Sequence, residues 1–314
     1  MVDMCVDLGP VRLATPLATA SGTFGYGTEY MGAVDYSCLG AVTVKGIRLD
    51  AWPGNPMPRH AEVPGGMVNA IGLQGPGVGM FLNHYAPLYE TAFEQTGIKP
   101  PAMIVNIWGG TVEEYAEVAH IVAGSGFSFI KAIECNVSCP NVKSGGHTFG
   151  HDPMILNRLV STVRKDLEMP LIVKLAPNVP DITPYVKACE DGGADAISLI
   201  NTIPAMVIDI ERRKPAIANK TGGLSGRAIH PAAVKLVYDA HRASKLPILA
   251  MGGIYEAKDA IEFMLAGASA VALGSAIFSN PGVVREVYDG ITEYCSRHGF
   301  TAARELTGAL EIDA

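Results

Sequence analysis

The strongest constraint on this chain is a rhythm. From Leu17 onward, short apolar runs of strand length recur, each followed by Gly, Asn or Pro and then by a helical pattern. Eight such runs stand out: Leu17–Ser21, Ala41–Lys45, Met103–Ile107, Phe129–Cys135, Leu171–Leu175, Ala196–Ile200, Ile248–Ala250 and Ala270–Leu273. Strands joined through helices run parallel, and eight of them predict an α/β fold closed into a (β/α)8 TIM barrel. Ahead of them, Cys5–Leu13 alternates loosely around Gly9-Pro10, which predicts a small N-terminal hairpin. The 314 residues suit one barrel with insertions, so residues 1–314 are read as a single domain.

The expected helices carry their own start and stop signals. Thr111 and Glu114 have capping-box spacing, with Val112, Tyr115, Ala119 and Val122 on one face behind them. Asp152-Pro153, Thr183-Pro184, His230-Pro231 and Asn280-Pro281 put proline where a first helical turn tolerates it, mostly behind a capping side chain. Gly192 and Gly267 read as stops.

Two gaps are too long for ordinary loops. Gly46 to Gly79 follows the second strand and Asn201 to Gly226 follows the sixth, the latter with a basic patch at Arg212-Arg-Lys214 that reads as a solvated loop rather than a partner-docking patch. Both leave the C-terminal ends of strands, where barrel active sites lie, and both are expected to roof the site.

Composition closes off several classes. A net charge of −7 argues against a nucleic-acid surface. No apolar run reaches the roughly 18 residues of a membrane span, and Met1–Pro10 has no basic segment of a signal peptide. The six cysteines show no CxxC pair and no zinc or disulfide spacing. A reducing cytoplasm is expected, with neither a metal nor an iron–sulfur cluster in this chain.

In a barrel the strand ends share one mouth. Here they are Ser21-Gly22, Lys45, Asn106, Asn136, Lys174, Asn201-Thr202, Gly252-Gly253 and Gly274-Ser275. Two apolar strands ending in lysine point positive charge into a covered cavity, which is costly unless an anion such as a reduced flavin or a carboxylate meets it. The glycines of the last two strands let backbone amides approach a phosphate. No GxGxxG follows a strand, so no nicotinamide-dinucleotide domain is expected.

The chemistry is expected in Glu134-Cys-Asn-Val-Ser-Cys-Pro-Asn141, which delivers amides, a hydroxyl and a thiol just past an apolar strand. Free cysteines usually only pack. Cys135 lies in the strand and reads as core, whereas Cys139 stands beyond it, ahead of a glycine-rich stretch to Gly150 that resembles a lid.

Over nearly the whole chain these residues resemble the dihydroorotate dehydrogenases. Asn136-Val-Ser-Cys-Pro-Asn141 is similar to the family's catalytic loop and Asn69-Ala-Ile-Gly-Leu73 to its substrate-binding turn. Pro53 to Arg59, Glu62 to Met67 and Gly72 to Gln74 resemble the two-subunit NAD-linked class, called 1B, and Gly75 departs from an expected asparagine. The resemblance implies a single FMN-binding domain, with FMN held by Ser21, Lys45, Gly46, Asn106, Asn136, Lys174, Ile200, Gly226, Gly252, Gly253, Gly274 and Ser275. It implies dihydroorotate held by Lys45, Asn69, Ala70, Ile71, Gly72, Leu73, Asn136, Asn141, Asn201 and Thr202, with Cys139 as the base and flavin N5 receiving the hydride. The implied reaction is oxidation of dihydroorotate to orotate in pyrimidine biosynthesis. Electrons would pass to NAD through a partner subunit carrying FAD and a 2Fe–2S iron–sulfur cluster, around a homodimer of this chain within a heterotetramer.

Two other readings fit the same residues. A dihydropyrimidine dehydrogenase-like flavoprotein would share the barrel and the cysteine but take rings without a carboxylate, against which Lys45 and the turn from Asn69 weigh. A flavin-free phosphate-binding isomerase or lyase would use the same glycines and be colourless. A non-catalytic scaffold has no use for so many polar strand ends.

Overall fold

The computed structural model describes residues 2–138 and 149–312. Cys139, Asn141 and most of the glycine-rich stretch after them lie outside the described residues.

The chain opens with β1 (Val6–Leu8) and β2 (Val11–Leu13), an antiparallel pair in which Val6 faces Leu13 across the Gly9-Pro10 turn. Leu8 and Leu13 are fully buried, and Gly9 lies against the backbone of Asp195, just ahead of a barrel strand. The expected hairpin therefore packs against the N-terminal end of the barrel, away from the site.

Next come β3 (Leu17–Thr19) and β4 (Ala41–Ile47), then β5 (His60–Val63) and β6 (Gly66–Asn69) in the first insertion. Helix α1 (Val78–Met80) continues through a π-helical segment, Phe81–Tyr85, into α2 (Ala86–Thr96), and Gly97 ends that run at φ 67°. The regular units that follow are β7 (Ala102–Ile107) with α3 (Val112–Ala123), β8 (Ile130–Asn136) with α4 (Pro153–Arg164), and β9 (Leu171–Lys174) with α5 (Thr183–Asp191). After β10 (Ala196–Leu199) the second insertion holds β11 (Ile203–Met206), β12 (Ile208–Asp209), β13 (Lys214–Pro215) and β14 (Thr221–Ser225). The chain closes with α6 (His230–Ala243), β15 (Ile248–Met251), α7 (Ala257–Ala266), β16 (Ala270–Leu273), α8 (Ala276–Ser279) and α9 (Val283–His298).

Strands β3, β4, β7, β8, β9, β10, β15 and β16 form a closed parallel barrel in that order, so all eight expected runs become barrel strands. They read as near-continuous apolar runs because helices bury their outer faces. The two insertions do more than extend separately. Strands from both combine into one four-stranded antiparallel sheet, β11-β14-β6-β5, in which Gly223 faces Asn69 and Leu224 faces Val68.

Some expectations fail for local reasons. No α-helix follows the first barrel strand: Gly25, Gly27 and Gly32 take positive φ there, and an aromatic cluster of Phe24, Tyr30 and Tyr36 fills the space. Thr111 does accept from the Glu114 amide, but the Glu114 carboxylate turns to Gly110 and Arg48 and leaves the capping box half made. Thr183 is the first residue of α5 rather than its cap, and its amide is taken by Asp181. His230 likewise begins α6 and bonds Gly252 instead of capping. Asp152 caps α4 as expected, accepting from Met154 and Ile155.

Candidate active site

Side chains alternate across a strand, so residues two apart share a face. In β8 this puts Glu134 and Asn136 on the inner face and Cys135 on the outer, against the helices. The same parity turns Asn106, Lys45, Lys174 and Ser198 inward near the C-terminal end of the barrel. Two hydrogen bonds demonstrate the arrangement. Ser198 Oγ of β10 donates to Glu134 Oε2 at 2.6 Å, reaching across the width of β9. Lys174 Nζ donates to Ser21 Oγ at 3.3 Å.

Above this layer lies a cavity of about 750 Å³, roofed by the four-stranded sheet. Every strand-end residue singled out from the sequence that falls within the described residues lines it: Ser21, Lys45, Gly46, Asn106, Asn136, Lys174, Ile200, Gly226, Gly252, Gly253, Gly274 and Ser275. Asn69, Ala70, Ile71, Gly72 and Leu73 enter from the first insertion, and Asn201 and Thr202 from the second. The base expected at Cys139 and the contact at Asn141 lie outside the described residues.

Neither lysine has a carboxylate within ion-pair distance among the described residues. Lys174 is only 5% exposed and its hydrogen bond goes to a neutral hydroxyl. Burial, and then the nearby Arg59 charge, hold the Lys45 ammonium below the usual lysine range, with Glu29 opposing. Two lysines lining one roofed cavity favour an anionic ligand.

The amides are held from behind. Asn136 accepts on Oδ1 from Asn201 Nδ2 at 3.2 Å, and its backbone carbonyl accepts from Tyr115 OH at 2.6 Å. The Asn201 Oδ1 in turn receives the Thr202 amide at 2.8 Å. Asn106 Nδ2 donates to Glu134 Oε1 at 2.5 Å, while Asn106 Oδ1 is buried without a partner among the described residues. The turn from Asn69 is shaped by positive φ at Gly72 and Leu73, and Asn55 ties it down by donating to the Ala70 carbonyl at 3.0 Å.

Gly252 and Gly253 have φ 135° and 76°, conformations that a side chain would strain. Gly274 differs. A Cβ there would meet nothing closer than Ala20 at 3.5 Å, so packing by the protein does not require glycine at that edge of the cavity.

Cys135 is fully buried, and burial together with the Glu134 charge pushes its thiol above the ordinary range. Sequence reasoning separated it correctly from the cavity. What it missed is the layer beneath the cavity: Glu134 and Ser198. A charged residue inside an apolar strand run was the available signal. Among the described residues no group of three His, Cys, Asp or Glu could hold a metal. The Arg212 patch sits on the exposed β12–β13 turn, where Arg212 reaches Asp209 at 3.5 Å.

Fold and site together define a class of barrel: a closed (β/α)8 barrel whose roofed C-terminal mouth gathers glycines, amides and two lysines around one cavity. The particular family follows from comparison. A family model described as dihydroorotate dehydrogenase matches residues 4–295. The curated relatives named dihydroorotate dehydrogenase B (NAD(+)), catalytic subunit, include that of Citrifermentans bemidjiense, 46% identical over 310 residues, covering 99% of both chains. Another, from Pelobacter propionicus, is 47% identical over 309 residues, covering 98% of this chain and 99% of the relative. That of Phocaeicola vulgatus is 44% identical over 312 residues, covering 99% and 100%. Among solved structures, DHODH in complex with ferulenol from Eimeria tenella superposes with a TM-score of 0.83 at 22% identity, covering 98% of this chain and 88% of that one, which bears on the fold alone. The chain belongs to the dihydroorotate dehydrogenase family.

Proposed function

We propose that this chain is the catalytic subunit of an NAD-linked dihydroorotate dehydrogenase, a single FMN-binding barrel domain that oxidises dihydroorotate to orotate for pyrimidine biosynthesis. The observation that carries the reading is the pairing of Lys45 and Lys174 in one roofed cavity, with no carboxylate within ion-pair distance of either among the described residues and beside the amides of Asn69, Asn136 and Asn201. A ring carboxylate and a phosphate-bearing cofactor are anions of the right kind for such a site.

The residues fit FMN on two counts. Asn106 Oδ1 is a buried acceptor awaiting a donor, and Gly274 keeps open a space that its protein neighbours do not fill. Ser21, Lys45, Gly46, Asn106, Asn136, Lys174, Ile200, Gly226, Gly252, Gly253, Gly274 and Ser275 would hold it. When bound, FMN supplies a hydride acceptor that no side chain can provide.

The chain's own residues do the rest. Lys45 and the turn from Asn69 through Ala70, Ile71 and Gly72 to Leu73 bind the substrate carboxylate. Asn136, Asn141, Asn201 and Thr202 fix the pyrimidine by its amide groups, holding it in one reactive orientation. Cys139, as thiolate, removes the ring proton. Lys174 supplies positive charge where negative charge builds during oxidation.

The printed names of the relatives, catalytic subunit and NAD(+), support a separate subunit that carries electrons on to NAD. We assign it FAD and a 2Fe–2S iron–sulfur cluster, around a homodimer of this chain in a heterotetramer. Five free cysteines among the described residues favour a reducing cytoplasm, and no described helix is long and apolar enough to cross a membrane.

The test is the visible spectrum of the purified chain, followed anaerobically as dihydroorotate is added. Bleaching of a flavin band is expected. A yellow protein indifferent to dihydroorotate, or a colourless one that FMN cannot restore, would overturn the reading.

A further inference from the structure

We propose that Glu134 is a positioning residue that fixes which end of the Asn106 amide faces the cavity, so that the site presents an acceptor there and takes a ligand ring bearing an N–H. The inference rests on the FMN reading given above and deepens it.

The side chain of an amide has nearly the same shape either way round, so its hydrogen-bond partners alone decide its direction. Glu134 is fully buried on the inner face of β8 and takes part in no ion pair among the described residues. Its Oε1 accepts from Asn106 Nδ2 at 2.5 Å and its Oε2 from Ser198 Oγ at 2.6 Å. A carboxylate can only accept, so with both Glu134 oxygens accepting, the Asn106 NH2 group turns down to Glu134 and its Oδ1 turns up.

Two further observations fit an Oδ1 kept for a ligand. It is buried without a partner among the described residues, although Asn106 lines the cavity. Beside it stands Gly46, where a Cβ would come within 2.9 Å of Oδ1 and cover it. A buried acceptor left unpaired is costly, so a ring with an N–H flanked by carbonyls, as in the pyrimidine part of a flavin, is the chemistry that completes it.

The experiment compares FMN affinity, by fluorescence titration of flavin-free protein at mildly alkaline pH, across four variants with thermal melts in parallel. Glu134→Leu removes the acceptor and should weaken FMN about tenfold or more, the scale of one buried hydrogen bond. Glu134→Gln keeps an oxygen for Asn106 while its NH2 group turns to Ser198, and should stay within about threefold of wild type. Asn106→Asp sets two carboxyl groups against each other and should bind poorly. Adding E134Q to N106D restores one donor and one acceptor and should recover most of the affinity. Glu134→Leu binding FMN like wild type, or a double variant that melts normally yet binds no better than N106D, would overturn the inference. If E134L does not fold, the N106D pair decides. Wild-type protein that never takes up FMN would instead overturn the functional reading beneath it.

Discussion

Lys174 and Ser21 belong to opposite sides of the barrel, four strands apart around the ring and 153 residues apart in the chain, yet ammonium and hydroxyl meet at 3.3 Å across its mouth. The contact satisfies a hydrogen bond but not a charge. Because an unpaired buried cation costs stability, Lys174→Met should leave the ligand-free chain as stable as wild type or more so. The same change should lower turnover by about 100-fold, the loss typical of one preorganised electrostatic contact. Melting curves of the flavin-free protein beside steady-state rates would check both halves. A large fall in melting temperature without ligand would show the lysine to be structural.

The two cysteines of the catalytic stretch should separate cleanly. Cys135 faces the helices, and burial and the Glu134 charge keep its thiol protonated, so Cys135→Ala should change turnover little. Cys139→Ala should cost about 100-fold or more, as loss of a general base does. If Cys139 is the base, it works as thiolate, and since a free thiol ionises at about 8.5 the rate should climb as pH rises through the neutral range. Equal losses from both substitutions would assign the role wrongly.

Lys45 sets the opposite limb. Burial first and Arg59 second lower its affinity for protons, so it loses its charge at a lower pH than an exposed lysine. If Lys45 meets the substrate carboxylate as proposed, KM should rise with alkaline pH above that point while kcat holds. The stability sign is also fixed. Between the lowered folded value and the ordinary unfolded one, the unfolded chain binds more protons, so the ligand-free protein gains stability as pH rises through that window. Lys45→Met should flatten both trends, measured as KM and melting temperature against pH.

The barrel was legible because its signal is redundant: all eight apolar runs, from Leu17 to Leu273, became strands of one ring. The cavity residues were legible for a related reason, since a closed barrel forces strand ends such as Lys45 and Gly252 to converge. Less readable was anything decided by contacts between insertions. Nothing local says that Asn69 and Gly223 will face each other in a shared roof. Helix starts misled where a tertiary partner outbid the local one, as Arg48 does for Glu114 at 2.7 Å. The segment after the first strand looked helical, but its glycines at positive φ preclude a helix. Glu134 was visible as a residue and silent as a role, because its partners come from β7 and β10.

The glycines at the rim make the sharpest contrast, because two of them are glycine for different reasons. At Gly253, φ is 76° and a Cβ would lie 2.8 Å from the Gly226 carbonyl oxygen, so Gly253→Ala should destabilise the chain by roughly 1–3 kcal/mol with or without ligand. At Gly274 no positive φ is required, and the nearest atom to an added Cβ is Ala20 Cβ at 3.5 Å. Gly274→Ala should therefore fold and melt like wild type. If FMN occupies the space the glycine leaves, the same methyl group meets the ligand instead, and flavin affinity should fall about tenfold or more, the scale of an overpacked contact. Flavin content after dialysis, read beside melting curves, distinguishes the two. A Gly274→Ala protein that both melts normally and keeps its flavin would show that the space belongs to solvent, and that the cofactor is held from another side of the cavity.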